Sequence, residues 1–166
     1  QYNINLTTDT RSPLSFYFRY GHTTLPTTDQ FANFGDFQAT LRVGPRFEID
    51  YALGFNNTTN GVGFVDKNTS NDSIIFANIV TTSYILNNKA SLILRVRHYW
   101  SGALNKNYYL LQQNGSLVDY PAYNQNKDQN YNAFTVDMIF TWNFAPGSEL
   151  DCSWKNVALS DQSTYV

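Results

Sequence analysis

Large apolar residues fall at every second position along most of this chain. Between Phe134 and Phe144, the residues Phe134, Val136, Met138, Phe140, Trp142 and Phe144 share one parity, and Thr135, Asp137, Thr141 and Asn143 share the other; Ile139 is the exception. Side chains alternate across a β-strand, so the segment predicts a strand with one apolar and one polar face. At about 3.3 Å per residue and a tilt near 45°, a strand of this length rises about 25 Å, the height of the apolar band on an outer-membrane barrel.

The period of two recurs along the chain. Tyr2, Ile4 and Leu6 alternate with Asn3, Asn5 and Thr7, and Leu14, Phe16, Phe18 and Tyr20 with Ser15, Tyr17 and Arg19. Phe37, Ala39, Leu41 and Val43 oppose Asp36, Gln38, Thr40 and Arg42, while Phe47, Ile49, Tyr51, Leu53 and Phe55 oppose Glu48, Asp50, Ala52 and Gly54. Segment 74–86 is apolar on both faces. Leu92, Leu94, Val96 and Trp100 face away from Ser91, Arg95, Arg97 and Ser101, and a last strand from about Ser148 sets Leu150, Cys152 and Trp154 against Glu149, Asp151, Ser153 and Lys155.

The connections predict two kinds of link. Thr10-Arg11-Ser12-Pro13, Gly44-Pro45-Arg46, Asn87-Asn88-Lys89 and Ala145-Pro146-Gly147 carry tight-turn residues. Stretches 22–32, 56–73 and 102–131 read as long loops, the last with a hairpin at Asn114-Gly115. Short turns alternating with long loops are the mark of an outer-membrane barrel. No helix signal stands out. The expected fold is therefore all-β, an antiparallel transmembrane β-barrel of about eight strands, with residues 1–166 forming one domain. A lipocalin-like soluble calyx is the alternative, its apolar face turned inward. Against it stand the lack of a Gly-x-Trp on the first strand, the lack of a C-terminal helix pattern, and more aromatic volume than an eight-stranded lumen holds.

Charged residues are 14% of the chain and aromatics 16%, with a formal net charge of −2, so the basic footprint of a nucleic-acid binder is missing. No apolar run is long enough for a transmembrane helix. The single Cys152 forms no internal disulfide and shares parity with Leu150 and Trp154, an apolar setting unlike that of a reactive thiol. Gln1 is not an initiator methionine, which suggests a processed chain or a piece of a longer one.

The run Leu94-Arg95-Val96-Arg97-His98-Tyr99-Trp100-Ser101 resembles a particular family, as does the segment Asn130-Tyr131-Asn132-Ala133-Phe134 continuing through Asp137-Met138 to Thr141-Trp142-Asn143-Phe144-Ala145-Pro146-Gly147-Ser148-Glu149-Leu150. The family comprises Bacteroidota outer-membrane proteins with an N-terminal module like a family-nine carbohydrate-binding domain, followed by a barrel of unknown function. The resemblance is close from about Val62 onward and loose before it. It implies a glycan-linked uptake or binding component, or an accessory subunit of an outer-membrane complex, in the bacterial outer membrane. It supplies no catalytic residues. The sugar-binding-like module has no counterpart here, and the chain stops at Ser163-Thr164-Tyr165-Val166. The expectation is a segment whose terminal strands pair with the remainder of a larger barrel or with another subunit.

The polar parity collects Arg19, Asp36, Arg42, Glu48, Asp50, Arg95, Arg97, Asp137, Glu149, Asp151 and Lys155. Turned inward, these form a lumen-facing charge network, either lining a selective pore or interlocking as ion pairs that fill it. Interlocking is favoured, because both signs mix on neighbouring strands and Arg42 faces Glu48 across a tight turn. Glu149 and Asp151 are same-face neighbours in that array rather than an isolated acid–base pair. His98 and Ser101 point to opposite faces, which separates a base from a nucleophile. With His22 the only other histidine, no metal-ligand spacing emerges. The sequence therefore points to no enzyme, no metal and no cofactor. Tyr108, Tyr109, Tyr120 and Tyr123, set among amides, are the candidate contacts for a glycan or a protein partner. Outer-membrane lipid is expected around the apolar face.

Overall fold

The computed structural model describes residues 1–25, 29–64 and 67–162, with only the backbone of Gln162. The expected end of the chain at Ser163–Val166 lies outside the described residues. Nine strands form one antiparallel sheet: β1 Tyr2–Thr7, β2 Leu14–Leu25, β3 Gln30–Val43, β4 Phe47–Phe64, β5 Asn68–Asn87, β6 Ala90–Leu111, β7 Leu117–Asp119, β8 Gln129–Ala145 and β9 Ser148–Gln162. No helix occurs among the described residues. The sheet order is β1-β2-β3-β4-β5-β6-β8-β9, with β7 paired only to the end of β6. Among the described residues β1 and β9 do not pair, so the sheet is open.

All four expected tight turns lie between strands. Gly44 and Gly147 adopt φ of 64° and 71°, left-handed values that glycine reaches without a Cβ clash. The long-loop expectation needs correction. Stretches 22–32 and 56–73 are mostly strand, because β2 and β3 pair up to Leu25 and Gln30, and β4 and β5 pair up to Phe64 and Asn68. Asn- and Thr-rich composition reads as loop, but main-chain pairing with a long neighbour overrides it. Stretch 102–131 is likewise strand up to Leu111, then a hairpin through Gly115 (φ 84°) into β7, the ninth strand the alternation did not resolve.

The register holds one face together across the sheet. Leu14, Leu41, Ile49, Thr82, Leu94, Met138 and Trp154 are successive cross-strand partners, and the next row on the opposite face runs Ser15, Thr40, Asp50, Thr81, Arg95, Asp137 and Lys155. A slip of one residue between any two strands would mix the two sets. No Asp, Glu, Lys or Arg lies on the apolar face over 2–7, 14–22, 31–43, 47–59, 74–86, 90–104, 130–144 or 150–160.

Neither face is covered. No hydrophobic residue among the described ones is buried; Phe16 is 38% exposed and Trp154 51%. A compact 19.0 kDa monomer exposes about 8,400 Å², whereas this chain exposes 11108 Å². Stable soluble domains pack at least two layers around a core, and this sheet is a single layer.

Aromatic rings organise the apolar face. Tyr20, Phe55, Phe76 and Trp100 form a ladder across the sheet, with centroid separations of 6.5, 6.4 and 5.8 Å. Phe55 lies over Gly35, where an added Cβ would stand 2.5 Å from its ring. The ladder sits where ring polar atoms find amide partners. The Tyr20 hydroxyl and Trp100 Nε1 donate to Asn33 and Asn130, each at 2.8 Å, and His98 Nε2 lies 3.1 Å from Asn132 Oδ1. Nearer the tight turns, Phe47 meets Tyr84 and Trp142 meets Phe144. The apolar band thus lies between two aromatic rows.

Candidate functional site

Two clusters carry the polar chemistry. The first is the charge array on the polar face. Arg42 and Glu48 are cross-strand partners joined at 2.7 Å, and Arg42 Nη1 also donates to the Thr10 carbonyl at 2.8 Å. Arg19 and Asp36 pair at 2.5 Å, with Arg19 lying 5.6 Å from the centre of the Phe34 ring. Arg97 pairs with Asp137, while its Nε is buried without a partner among the described residues. Asp50 and Asp151 each accept from a threonine hydroxyl, Thr40 and Thr141, at 2.6 Å. These contacts are one or two strands wide and run from β2 to β9, as alternating parity on long neighbouring strands requires. Arg95 and Lys155 flank Asp137 in register but form no salt bridge among the described residues, and neither does Glu149. The array therefore interlocks in part, and its β6–β9 portion keeps cations outside any salt bridge with the described residues.

The second cluster stands past two bulges. Thr58 pairs with Ser73 but Gly61 with Asn71, so β4 holds one residue more than β5; Asn71 pairs with Asn105 but Ser70 with Asn107, which leaves Lys106 extra in β6. Asp72 ties both bulges together. Its carboxylate accepts from the Asn60 main-chain N–H at 3.0 Å and from Lys106 Nζ at 2.8 Å, and Asn60 itself sits at φ 54°. Partial burial pushes the Asp72 carboxyl up, but the Lys106 ammonium and the Asn60 N–H outweigh it and hold the group below the ordinary carboxylate value of 3.8.

Each bulge reverses the parity of the residues beyond it. Val62, Phe64, Tyr109, Leu111 and Leu117 therefore continue the apolar side, whereas Tyr108 continues the polar side. The neighbouring connection is anchored by Asp128, which is 8% exposed and accepts from Asn105 N–H at 2.7 Å; Thr69, fully buried, donates to the Asn107 carbonyl at 2.9 Å.

Three of the four expected tyrosines meet here. Tyr108 and Tyr123 have ring centres 4.4 Å apart, Tyr120 lies 6.2 Å from Tyr123, and Tyr120 N–H donates to the Tyr108 carbonyl at 2.8 Å. With Lys106, Asn107, Asp119 and Pro121 they line a recess of about 320 Å³. Tyr109 does not join them. It lies on the opposite side, beside Phe64 and Leu111, because adjacent strand residues face opposite ways. The Asp72–Lys106–Asn60 hub escaped sequence reasoning, although Asn60-Gly61 was a visible bulge signal.

Comparison with protein families matches the whole of residues 1–166. The chain belongs to the family described as Domain of unknown function (DUF5916). Membership extends over the first sixty or so residues, where the motif resemblance is loose, and its description carries no activity. No curated protein and no solved structure matches the chain.

Proposed function

We propose that this DUF5916 chain is part of an outer-membrane β-barrel and serves as a glycan-linked uptake or binding component in the bacterial outer membrane. One observation carries the reading: a face free of formal charge runs in register across every long strand, with no apolar residue buried among the described ones. Lipid can cover such a face without a second protein layer. The two aromatic rows match the girdles of outer-membrane barrels, and a charge at the midplane of the band costs about 2–4 kcal/mol. The short turns then face the periplasm, and the β4–β7 extension stands outside the cell. Open edges are not tolerated in a bilayer, so β1 and β9 pair with further polypeptide of the same barrel or with another subunit. The tyrosine recess above the polar side offers ring faces, amides and charges suited to a sugar.

All three tryptophans, Trp100, Trp142 and Trp154, lie on the apolar face. Reconstitution in vesicles of phosphatidylcholine brominated at defined acyl depths tests the proposal. Bromine at mid-chain should quench Trp154 most, and bromine near the headgroup should quench Trp100 and Trp142 most, with single-tryptophan variants separating the signals. Emission unaffected by any brominated lipid would sink the membrane reading and favour a soluble calyx.

A further inference from the structure

We propose that the β6–β8–β9 portion of the polar face binds a small oxyanion, a sulfate or carboxylate group, between Arg95 and Lys155. Both side chains line one recess of about 180 Å³, walled by Ile93, Ile139 and Ser153 beside Asp137. The volume falls below the ~300–1,000 Å³ of pockets for drug-sized ligands, which restricts the occupant to a small group. Arg95, Asp137 and Lys155 are consecutive cross-strand partners, so strands about 4.8 Å apart set the Cα atoms of Arg95 and Lys155 roughly 10 Å from each other, a span that two long side chains can close around one small group.

The charge balance favours an anion. Asp137 is already engaged by Arg97, the residue two positions above Arg95 on the same strand. Three cations and one carboxylate therefore share this patch. The other carboxylates on the face are held elsewhere or lie apart. Asp50 is separated from Arg95 by the uncharged polar face of β5 and accepts from Thr40; Asp151 accepts from Thr141 nearer the tight turns; Glu149 lies beyond it. Arg95 supplies a planar fork suited to two oxygens of one oxyanion and Lys155 a point charge, while Ile93 and Ile139 give the recess an apolar wall on one side.

The barrel reading determines only whether this patch faces a lumen, where it would select acidic sugars or other anions during passage. The binding itself is tested separately. Sodium sulfate and sodium glucuronate are titrated calorimetrically, at fixed ionic strength, into the full chain in detergent micelles. A saturable one-to-one isotherm is expected with wild type, weakened at least tenfold in R95Q/K155Q and unchanged in R46Q/K89Q, whose cations lie in the tight turns. The charge-preserving R95K/K155R should retain most of the affinity and guards against a folding defect in the neutral variant. Sulfate binding without glucuronate binding would assign an inorganic anion, and the reverse an acidic sugar. Absence of saturable heat with both anions in wild type, or equal affinity in R95Q/K155Q, overturns the proposal. Tryptophan quenching reads the opposite face, so a failed barrel and a failed anion site give different results.

Discussion

The extension above the bulges is built from three of the strands that also cross the sheet below, β4, β5 and β6, yet the two regions follow different rules. Below, strict alternation from β1 to β9 keeps every formal charge off one face. Above, the extra residues in β4 and β6 swap the parity, so Phe64 and Leu111 turn to the side that Phe55 and Trp100 occupy below. Between the two regions, on the apolar side, stands a polar collar of Asn57, Asp72 and Lys106. The difference teaches that a long hairpin can carry two environments in series, each with its own apolar set. The hub of Asp72, Lys106 and Asn60 marks the border.

The strongest way to break this contrast is to place the same charge in each region. Met138→Arg, in the row of Trp154, puts a cation in the middle of the charge-free band and should cost about 2–4 kcal/mol in a bilayer. Leu111, in the extension, is 64% exposed, and under the proposed barrel it stands outside the bilayer, so Leu111→Arg should change stability by no more than about 0.5 kcal/mol. Heat-modifiable mobility on SDS gels, together with urea unfolding in vesicles, distinguishes them; equal damage from both variants would erase the border.

A smaller effect is expected at Asp128. Asp128→Ala strips the Asn105 N–H of its acceptor in a buried spot, a loss of about 1–3 kcal/mol. The loss should stay local. Hydrogen exchange should rise over 105–123 and remain unchanged in β2, β3 and the lower half of β8.

The finest probe is pH acting on Asp72. Its folded-state pKa is lowered, so its contribution is fully present above pH 3.8 and is lost as pH falls through the lower folded value. The group is partly exposed, which limits the contribution to less than about 1 kcal/mol. The urea midpoint of the extension, followed by tyrosine near-ultraviolet circular dichroism, should hold from pH 6 to about pH 4 and drop as pH falls from there toward 2 in wild type. In Asp72→Asn it should drop less, and a wild-type profile flat over this range would remove Asp72 from the border.

Much of this was legible along the chain. Alternation located the long strand cores except that of β5, whose segment 74–86 is apolar on both faces; Gly44, Gly147 and their neighbours marked the turns, and the Arg42–Glu48 pairing followed from a tight turn between residues of matching parity. The strand extensions were not legible, since Thr58 to Gly63 and Asn68 to Ser73 have a loop-like composition and become strand only by pairing with each other. The tyrosine grouping was half legible: the residues were named, but which of two adjacent tyrosines faces the recess depends on a bulge.

The sequence by itself determined which side chains share a face, because a strand alternates with a period of two whatever its neighbours do. Tertiary structure alone decided which strand residue meets which. It chose Arg97 rather than Arg95 or Lys155 as the partner of Asp137, and it put Tyr108 and Tyr109 on opposite sides of the extension. Those choices depend on register and on extra residues accommodated between strands far apart in sequence. A local signal such as Asn60-Gly61 marks where a bulge can form, but not which residues it brings together, since a bulge costs one hydrogen-bond step in the ladder and is stabilised by groups on other strands, as Asp72 does for Asn60 and Lys106.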